Sequence, residues 1–419
     1  RSKRSRIDLF RKENVPIQTD LEKLGQEYGR IAGAQTVQFD GQERTLPQMG
    51  AYLQETDRSV REAAWRAVND RRLLDRDKLD DLLDRMIAQR TQMARNAGCA
   101  SFVEYVFKDK QRFDYTPEHC RAFWRAAEKH VGPFMNRLAA RRKQQLEVSD
   151  LRPWDMGVDP MGRPGLKPFS GGRDLFEKTA RVFEAVDARL GRMFRELGPQ
   201  AGGEAAPAGR PYAAGEPLVS EFLDLDSRKG KRPGGYQYNR PRTRRPFIFM
   251  NAAGLHRDAM TMLHEAGHAF HSMLSASDPI VDYRVSPTEF AEVASMSMEH
   301  VTMPRWGVAG GYYASEEDLR RARTEHLERS VSILAWIACI DSFQQWMYEN
   351  PGHTRRQRDD QWVEIDQRMG ESVSWAGLDE ARRAAWQRQS HIFSHPLYYI
   401  EYGIAQLGAL QLWLRSIKE

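Results

Sequence analysis

Three observations on this sequence predict a mainly α-helical protein with one small β-sheet. Apolar residues recur three and four apart through long segments rich in Ala, Leu, Arg and Glu, the spacing that gathers them on one helical face. Pro and Gly punctuate these segments rather than interrupt them. Only one stretch, residues 245–251, carries a firm strand signal.

In chain order, residues 57–69, 75–95 and 317–340 have the helical period. Thr116 and Pro117 mark a helix start, with Thr116 as N-cap and Pro117 in the first helical position. Residues 151–172 form a long Pro/Gly loop carrying Trp154 and Phe169, and residues 198–217, rich in Gly, Ala and Pro, read as an exposed surface insertion rather than a lid. Residues 226–236 are a glycine-rich turn leading into the run Arg245 to Asn251. The glycines there serve either hairpin geometry or close approach of the backbone to a ligand. Trp65, Trp336, Trp346 and Trp386 fit core positions at helical spacing.

The 419 residues suffice for two or three lobes, and 41% hydrophobic with 29% charged residues is ordinary for a globular protein. The net charge of +5 is spread along the chain, with no concentrated basic stripe and no nucleic-acid module, so nucleic acid is not expected as a partner. The basic opening, Arg1 to Arg6, reads as a solvated terminal segment. Three widely separated cysteines, Cys99, Cys120 and Cys339, argue against a disulfide framework and a thiolate metal site. The longest apolar stretch, residues 331–340, is too short to span a bilayer, and no secretory segment opens the chain. These features predict a cytoplasmic protein without membrane partners. The missing initiating Met predicts a processed or partial chain.

His264-Glu265-Ala266-Gly267-His268 carries the chemistry. Residues four apart on a helix share a face, so His264 and His268 can offer two imidazoles to one ion while Glu265 is aimed at water bound to it. Residues 255–276 have the pattern of one helix, with Leu255, Ala259, Met262, Leu263, Ala266, Ala269, Phe270, Met273 and Leu274 as its core face. His271 lies on the stripe of His264 and His268. The bland alternative is a surface helix whose histidines merely cap or solvate. The other histidines, His119, His130, His256, His300, His326, His353 and His395, read as surface or core residues.

A catalytic zinc takes three protein ligands and a water. A third His six residues after His268 is excluded, because that position is Leu274. A following helix, residues 287–299, offers Glu289, Glu292 and Glu299. Glu292 and Glu299 lie near one helical face, one fit to bind and the other to support, and Glu289 competes from a turn earlier.

HEAGH followed by EFAEVASMSME resembles the thimet-oligopeptidase-like zinc metallopeptidases, specifically their oligoendopeptidase F branch. The family pattern is H-E-x-G-H and then Glu in an E-x-[AP]-S context; Glu292-Val293-Ala294-Ser295 matches that register, so the resemblance selects Glu292 as third ligand. Residues 33–49, 57–66, 226–237, 245–251 and 391–412 are similar to this branch as well, covering most of the chain. The resemblance implies a helical two-lobed peptidase with a deep substrate cleft, a small β-sheet beside the HExxH helix and one Zn2+ ion. We place an N-terminal helical lobe at residues 1–220 and a catalytic zinc-binding lobe at residues 221–419. Family members usually extend further at both ends.

The implied reaction is hydrolysis of internal bonds of short unstructured peptides by zinc-activated water, with Glu265 as general base. The oxyanion needs further donors. The resemblance places a Tyr/His cluster near the zinc, and His391, Tyr398, Tyr399 and Tyr402 are its members in this sequence. Tyr398 and Tyr402 share a face if their segment is helical and are favoured, with His391 next. The strand Phe247 to Asn251, with Phe249, Met250 and Asn251 near the substrate and Gly235 and Tyr236 across the turn, is expected to offer an unpaired edge to an extended peptide. Two rivals remain: a zinc carboxypeptidase or dipeptidase, which needs a cation such as Arg245 or Arg388 near the metal, and an inactive peptide-binding scaffold.

Overall fold

The computed structural model describes residues 1–198, 218–370 and 373–418; the expected insertion at 198–217 lies, beyond Gly198, outside the described residues. The chain is mainly helical. The three periodic segments form helices Arg58–Leu73, Arg76–Asn96 and Glu316–Glu349. Local chemistry sets their starts. Asp57 accepts from the Ser59 backbone N–H at 2.8 Å, and Ser101 accepts from Glu104 N–H at 3.2 Å ahead of Phe102–Asp109. Pro117 opens Pro117–Ala126 as expected, and the Thr116 N–H is satisfied by His119 Nδ1 at 3.0 Å, which gives His119 a capping role. No described helix is long and apolar enough to cross a membrane.

Two compact units result, and each is discontinuous in sequence. Unit 1 comprises Arg1–Arg44, Tyr52–Arg163 and Ser330–Gly403; unit 2 comprises Thr45–Ala51, Pro164–Arg329 and Ile404–Glu419. The division expected at 220/221 is not where the contacts divide the chain. The C-terminal third returns to pack with N-terminal helices, so residues 330–403 share a core with residues 9–131. That core is built on Tyr28, Leu83, Met86, Phe343, Trp362, Trp386 and Phe393. Cys99, Cys120 and Cys339 are free and buried in it. Trp65 packs separately with Trp154 and Leu378.

Unit 2 holds a three-stranded sheet. Taking Thr36–Phe39 and Gln42–Thr45, a separate two-stranded sheet, as β1 and β2, the strands here are β3 Leu223–Asp226, β4 Tyr236–Asn239 and β5 Pro246–Ala252. β5 is central, parallel to β3 and antiparallel to β4. This corrects the expectation that Phe247 to Asn251 offers an unpaired edge: the sheet's edge strands are β3 and β4. Alternate residues of β5, Pro246, Ile248, Met250 and Ala252, are buried. The helix His256–Ser275 packs on this sheet and buries Ala259, Met262, Leu263, Ala266, Ala269 and Phe270 in the unit 2 core. Leu274, expected on that face, is instead exposed, because the helix ends just beyond it at Ser275.

Candidate metal centre

His256–Ser275 and the helix Thr288–Val301 approach closely, and Gly267 permits it. A Cβ at this position would stand 2.6 Å from the Ser295 Cα and 3.0 Å from the Ala294 carbonyl oxygen, so any side chain pushes the helices apart. The approach brings Glu292 to both histidines. His264 Nε2 is 3.2 Å, and His268 Nε2 3.4 Å, from the same Glu292 oxygen. The imidazoles are nearly perpendicular, 84° between planes and 4.9 Å between centroids. Ligand atoms held about 2.1 Å from one ion at tetrahedral angles stand roughly 3.4 Å apart, which the two nitrogen–oxygen distances match, and two imidazoles with one carboxylate are a donor set that suits zinc. Glu289 does not join His264, His268 and Glu292 in that group, and neither does His271.

The surroundings orient these donors. Glu299 Oε1 lies 2.9 Å from His264 Nδ1, leaving Nε2 to face the cluster. Ser295 donates its hydroxyl to Glu292 Oε2 at 3.1 Å. Burial by itself drives the Glu292 carboxyl up, yet His268 and His264 overcome it and hold the group well below the usual carboxylate range. Burial likewise pulls His264 down, and Glu292 and Glu299 outweigh it, holding the imidazole well above its ordinary value.

Glu265 is buried between the metal helix and β4. Burial pushes its carboxyl up against the pull of His264 and His268, and the Gln237 backbone N–H donates to it. Among the described residues its Oε2 has no hydrogen-bond partner. A Cβ at residue 235 would meet Glu265 Oε1 at 3.4 Å and Thr261 Cγ2 at 3.0 Å, so Gly235 keeps the space beside the carboxylate clear. Gly230 and Gly234 take positive φ, as turn geometry requires, and Gly235 lies close against Glu265 and Thr261.

The expected substrate residues divide by role. Met250 is 2% exposed and packs in the core. Asn251 donates through Nδ2 to the Arg232 carbonyl at 2.7 Å and to the Gly234 carbonyl at 2.9 Å, which clamps the glycine turn. Phe249 stacks on Tyr236 at 4.9 Å. On the edge strand, Tyr236 and Tyr238 are exposed by 44% and 55%. Arg245 is engaged over the Phe222 ring at 5.1 Å.

Among the remaining histidines, His256, His300 and His326 are buried in unit 2 outside the metal group. His256 Nδ1 pairs with Tyr313 Oη at 2.6 Å, and burial brings its pKa down to about 3. His300 contacts His326 Nε2 at 3.3 Å and Gln406 Nε2 at 3.0 Å.

In unit 1, His391, Tyr398 and Tyr402 form one aromatic cluster. His391 Nε2 lies 3.2 Å from Tyr402 Oη, and the Tyr398 and Tyr402 rings are 5.3 Å apart. The segment is not one helix, which corrects the shared-face expectation. His391 belongs to Ser390–Ser394 and Tyr402 to Ile400–Ser416, with Tyr398 in the turn between. Leu397 makes that turn at φ +56°, a costly value for Leu. Three contacts hold it: its N–H donates to Gln344 Oε1 at 2.9 Å, its carbonyl accepts from Arg112 at 2.5 Å, and Arg112 pairs with buried Glu401 at 2.6 Å. The sequence reading missed three contributors: Gly267, whose partner helix is invisible locally; Ser295, detectable only as the last residue of the Glu292 register; and Gln389, which carries no motif signal and touches His391 at 2.7 Å.

The profile of peptidase family M3 matches residues 51–419. The chain is 28% identical over 173 residues to oligopeptidase PepF of Bacillus subtilis (strain 168), covering 41% of this chain and 22% of that protein. It is 24% identical over 241 residues to the chromosomal oligoendopeptidase F of Lactococcus lactis subsp. cremoris, covering 57% and 32%. The chain thus matches less than half the length of these curated relatives. A solved structure of PZ peptidase A with inhibitor 2 superposes with a TM-score of 0.90 at 28% identity, covering 100% of this chain and 70% of that one. An X-ray structure described as an oligoendopeptidase F gives 0.88 at 28% identity with the same coverage. Matched over a stretch that includes His264, Glu265, His268 and Glu292, the chain belongs to peptidase family M3.

Proposed function

We propose that this chain carries the catalytic centre of a zinc-dependent oligoendopeptidase that hydrolyses internal bonds of short unstructured peptides. The observation that carries the proposal is the convergence of two imidazole nitrogens and one carboxylate oxygen within 4.8 Å of one another, beside a buried Glu265 carboxylate oxygen that has no hydrogen-bond partner among the described residues. His264, His268 and Glu292 would hold the ion, and Glu299 keeps His264 oriented. Zinc bound there supplies an acidified water and a Lewis acid for the scissile carbonyl. Glu265 takes the proton of the attacking water and delivers it to the leaving nitrogen. Its burial favours this, since a raised pKa makes the carboxylate a stronger base. The oxyanion donors, Tyr398, Tyr402 and His391, are drawn from the family resemblance. An extended peptide adds along β4, whose exposed tyrosines flank Gln237. Free buried cysteines support a reducing compartment, the cytoplasm.

The test is digestion of internally quenched peptides with both ends blocked by the zinc-loaded protein. Cleavage at an internal bond is the expected result. Cleavage only of peptides with a free C-terminus would replace the proposal with a carboxypeptidase, and binding without turnover would replace it with a scaffold.

A further inference from the structure

The turn between β4 and β5 is a local exception to the even spread of charge along the chain. Residues 227–257 contain no Asp or Glu, and Arg240, Arg242, Arg244 and Arg245 all fall within this short turn. Arg240 pairs with Glu221 at 3.2 Å, whereas Arg242, Arg244 and Arg245 have no carboxylate partner among the described residues. Two of these three are nevertheless held in place. Arg244 donates to the Ala276 carbonyl at 2.9 Å, and Arg245 lies over the Phe222 ring at 5.1 Å. A carbonyl and an aromatic face fix a guanidinium without cancelling its charge. Arg244 also takes φ +56°, a costly conformation for a residue with a Cβ, so the turn is built against local preference.

This turn stands at the end of the edge strand that runs beside the metal helix. The Arg240 N–H donates to the Arg245 carbonyl at 3.2 Å, so the alternate residues Gln237 and Asn239 direct their backbone groups away from β5, to the side with no neighbouring strand. Three contacts order β4 and its turn along the helix: the Gln237 N–H reaches Glu265, the Gln237 side chain reaches Ser272 at 3.3 Å, and Arg244 reaches Ala276. From His268 to the C-cap at Ala276 the helix advances about 12 Å, a distance that an extended peptide covers in roughly three to four residues. We propose that Arg242, Arg244 and Arg245 are specificity determinants that select peptides with a side-chain carboxylate about three or four residues from the cleaved bond, on one side of it only. This rests on the peptidase reading above, with the peptide lying along β4. A nucleic acid is also polyanionic, but one basic turn at the end of a strand edge matches a short acidic segment, whereas a phosphate backbone takes a longer stripe of cations.

The experiment uses internally quenched peptides, blocked at both ends, that carry Asp, Asn or Lys at successive positions on either side of one common bond. With the zinc-loaded chain at low ionic strength, kcat/KM is expected to be about threefold to tenfold higher for Asp than for Asn at the third or fourth position on one side, the scale of two exposed ion pairs, and lower still for Lys. The preference should shrink toward unity in about 0.5 M NaCl. Arg242 is exposed and joins no ion pair among the described residues, so its charge can be changed without disturbing the turn. Arg242→Gln should reduce the Asp preference, and Arg242→Glu should bring it to unity. An equal preference on both sides of the bond overturns the inference, as does one that survives Arg242→Glu at full size. A binding arm keeps the two readings apart: anisotropy of labelled Asp and Asn peptides on the zinc-loaded Glu265→Gln protein, read without turnover. Tighter binding of the Asp peptide by a chain whose wild type cleaves nothing defeats the peptidase reading, whereas cleavage with no Asp preference defeats only this inference. Displacement of the Asp peptide by a single-stranded oligonucleotide at lower concentration than by unlabelled Asp peptide assigns the turn to nucleic acid and overturns it too.

Discussion

The metal cluster of unit 2 and the Tyr/His turn of unit 1 are organised by opposite means. His264, Glu265 and His268 are placed by one turn of one helix, and a second helix adds Glu292; the geometry follows from periodicity plus one close approach at Gly267. The Tyr/His turn is placed by residues far apart in sequence. Leu397 is forced to φ +56° and held by Arg112, Gln344 and Glu401, two of them more than fifty residues away. The first site leans on one helix–helix approach, whereas the strained turn leans on several contacts from distant parts of the chain.

The largest expected effect separates chemistry from architecture. Glu265→Gln should lower kcat by about 10²–10⁴-fold while one zinc per chain remains bound, measured by metal analysis beside peptide turnover. Unchanged turnover would remove the general base from the mechanism. The next tests the turn. Arg112→Met leaves Glu401 buried without its partner and should cost about 3–5 kcal/mol in urea unfolding, with the loss concentrated in unit 1. A loss below 1 kcal/mol would mean that the turn is not held in this way.

Legibility follows the same contrast. The candidate metal group was readable because His264, Glu265 and His268 lie within five residues, and Glu292, which the structure brings to both histidines, was picked out by its register with Ser295. Gly267 was visible as a letter of the motif, but its reason lies in the Ser295 backbone across the helix pair. β5 was located within one residue, yet its place in the sheet was misread, since alternation describes one strand and says nothing about how many neighbours pair with it. Pro396 was the available signal that residues 391–402 do not form one helix: its missing N–H and fixed ring break the repeat just before Leu397. The unit boundaries could not be read, because they are set by chain return rather than by composition.

Two smaller effects sharpen the unit 2 side of the comparison. Gly267→Ala places a methyl into Ser295 and should destabilise by about 1–3 kcal/mol while also weakening zinc, because Glu292 moves with its helix. Retained zinc affinity at reduced stability would show that ligand spacing survives the shift. Glu299→Gln keeps the shape and removes the charge behind His264, and it should weaken zinc by about 10–100-fold in competition with a chelator.

The smallest effect distinguishes the two units by pH. Among the described residues the fully buried histidines, His256, His300 and His326, all belong to unit 2, and burial lowers the pKa of each. For His256 the folded value is about 3 against an ordinary 6.5. Its contribution to stability is therefore complete above pH 6.5 and is lost as pH falls toward 3, because the unfolded chain binds a proton that the folded chain refuses. The slope is about 1.4 kcal/mol per pH unit for one such group once the pH is well below 6.5. Hydrogen exchange between pH 7 and 5, corrected for intrinsic rates, should show unit 2 losing protection faster than unit 1. His256→Gln should remove about one proton's share of that slope. An equal slope in both units would show that the acid sensitivity of the fold lies elsewhere than in these three buried imidazoles.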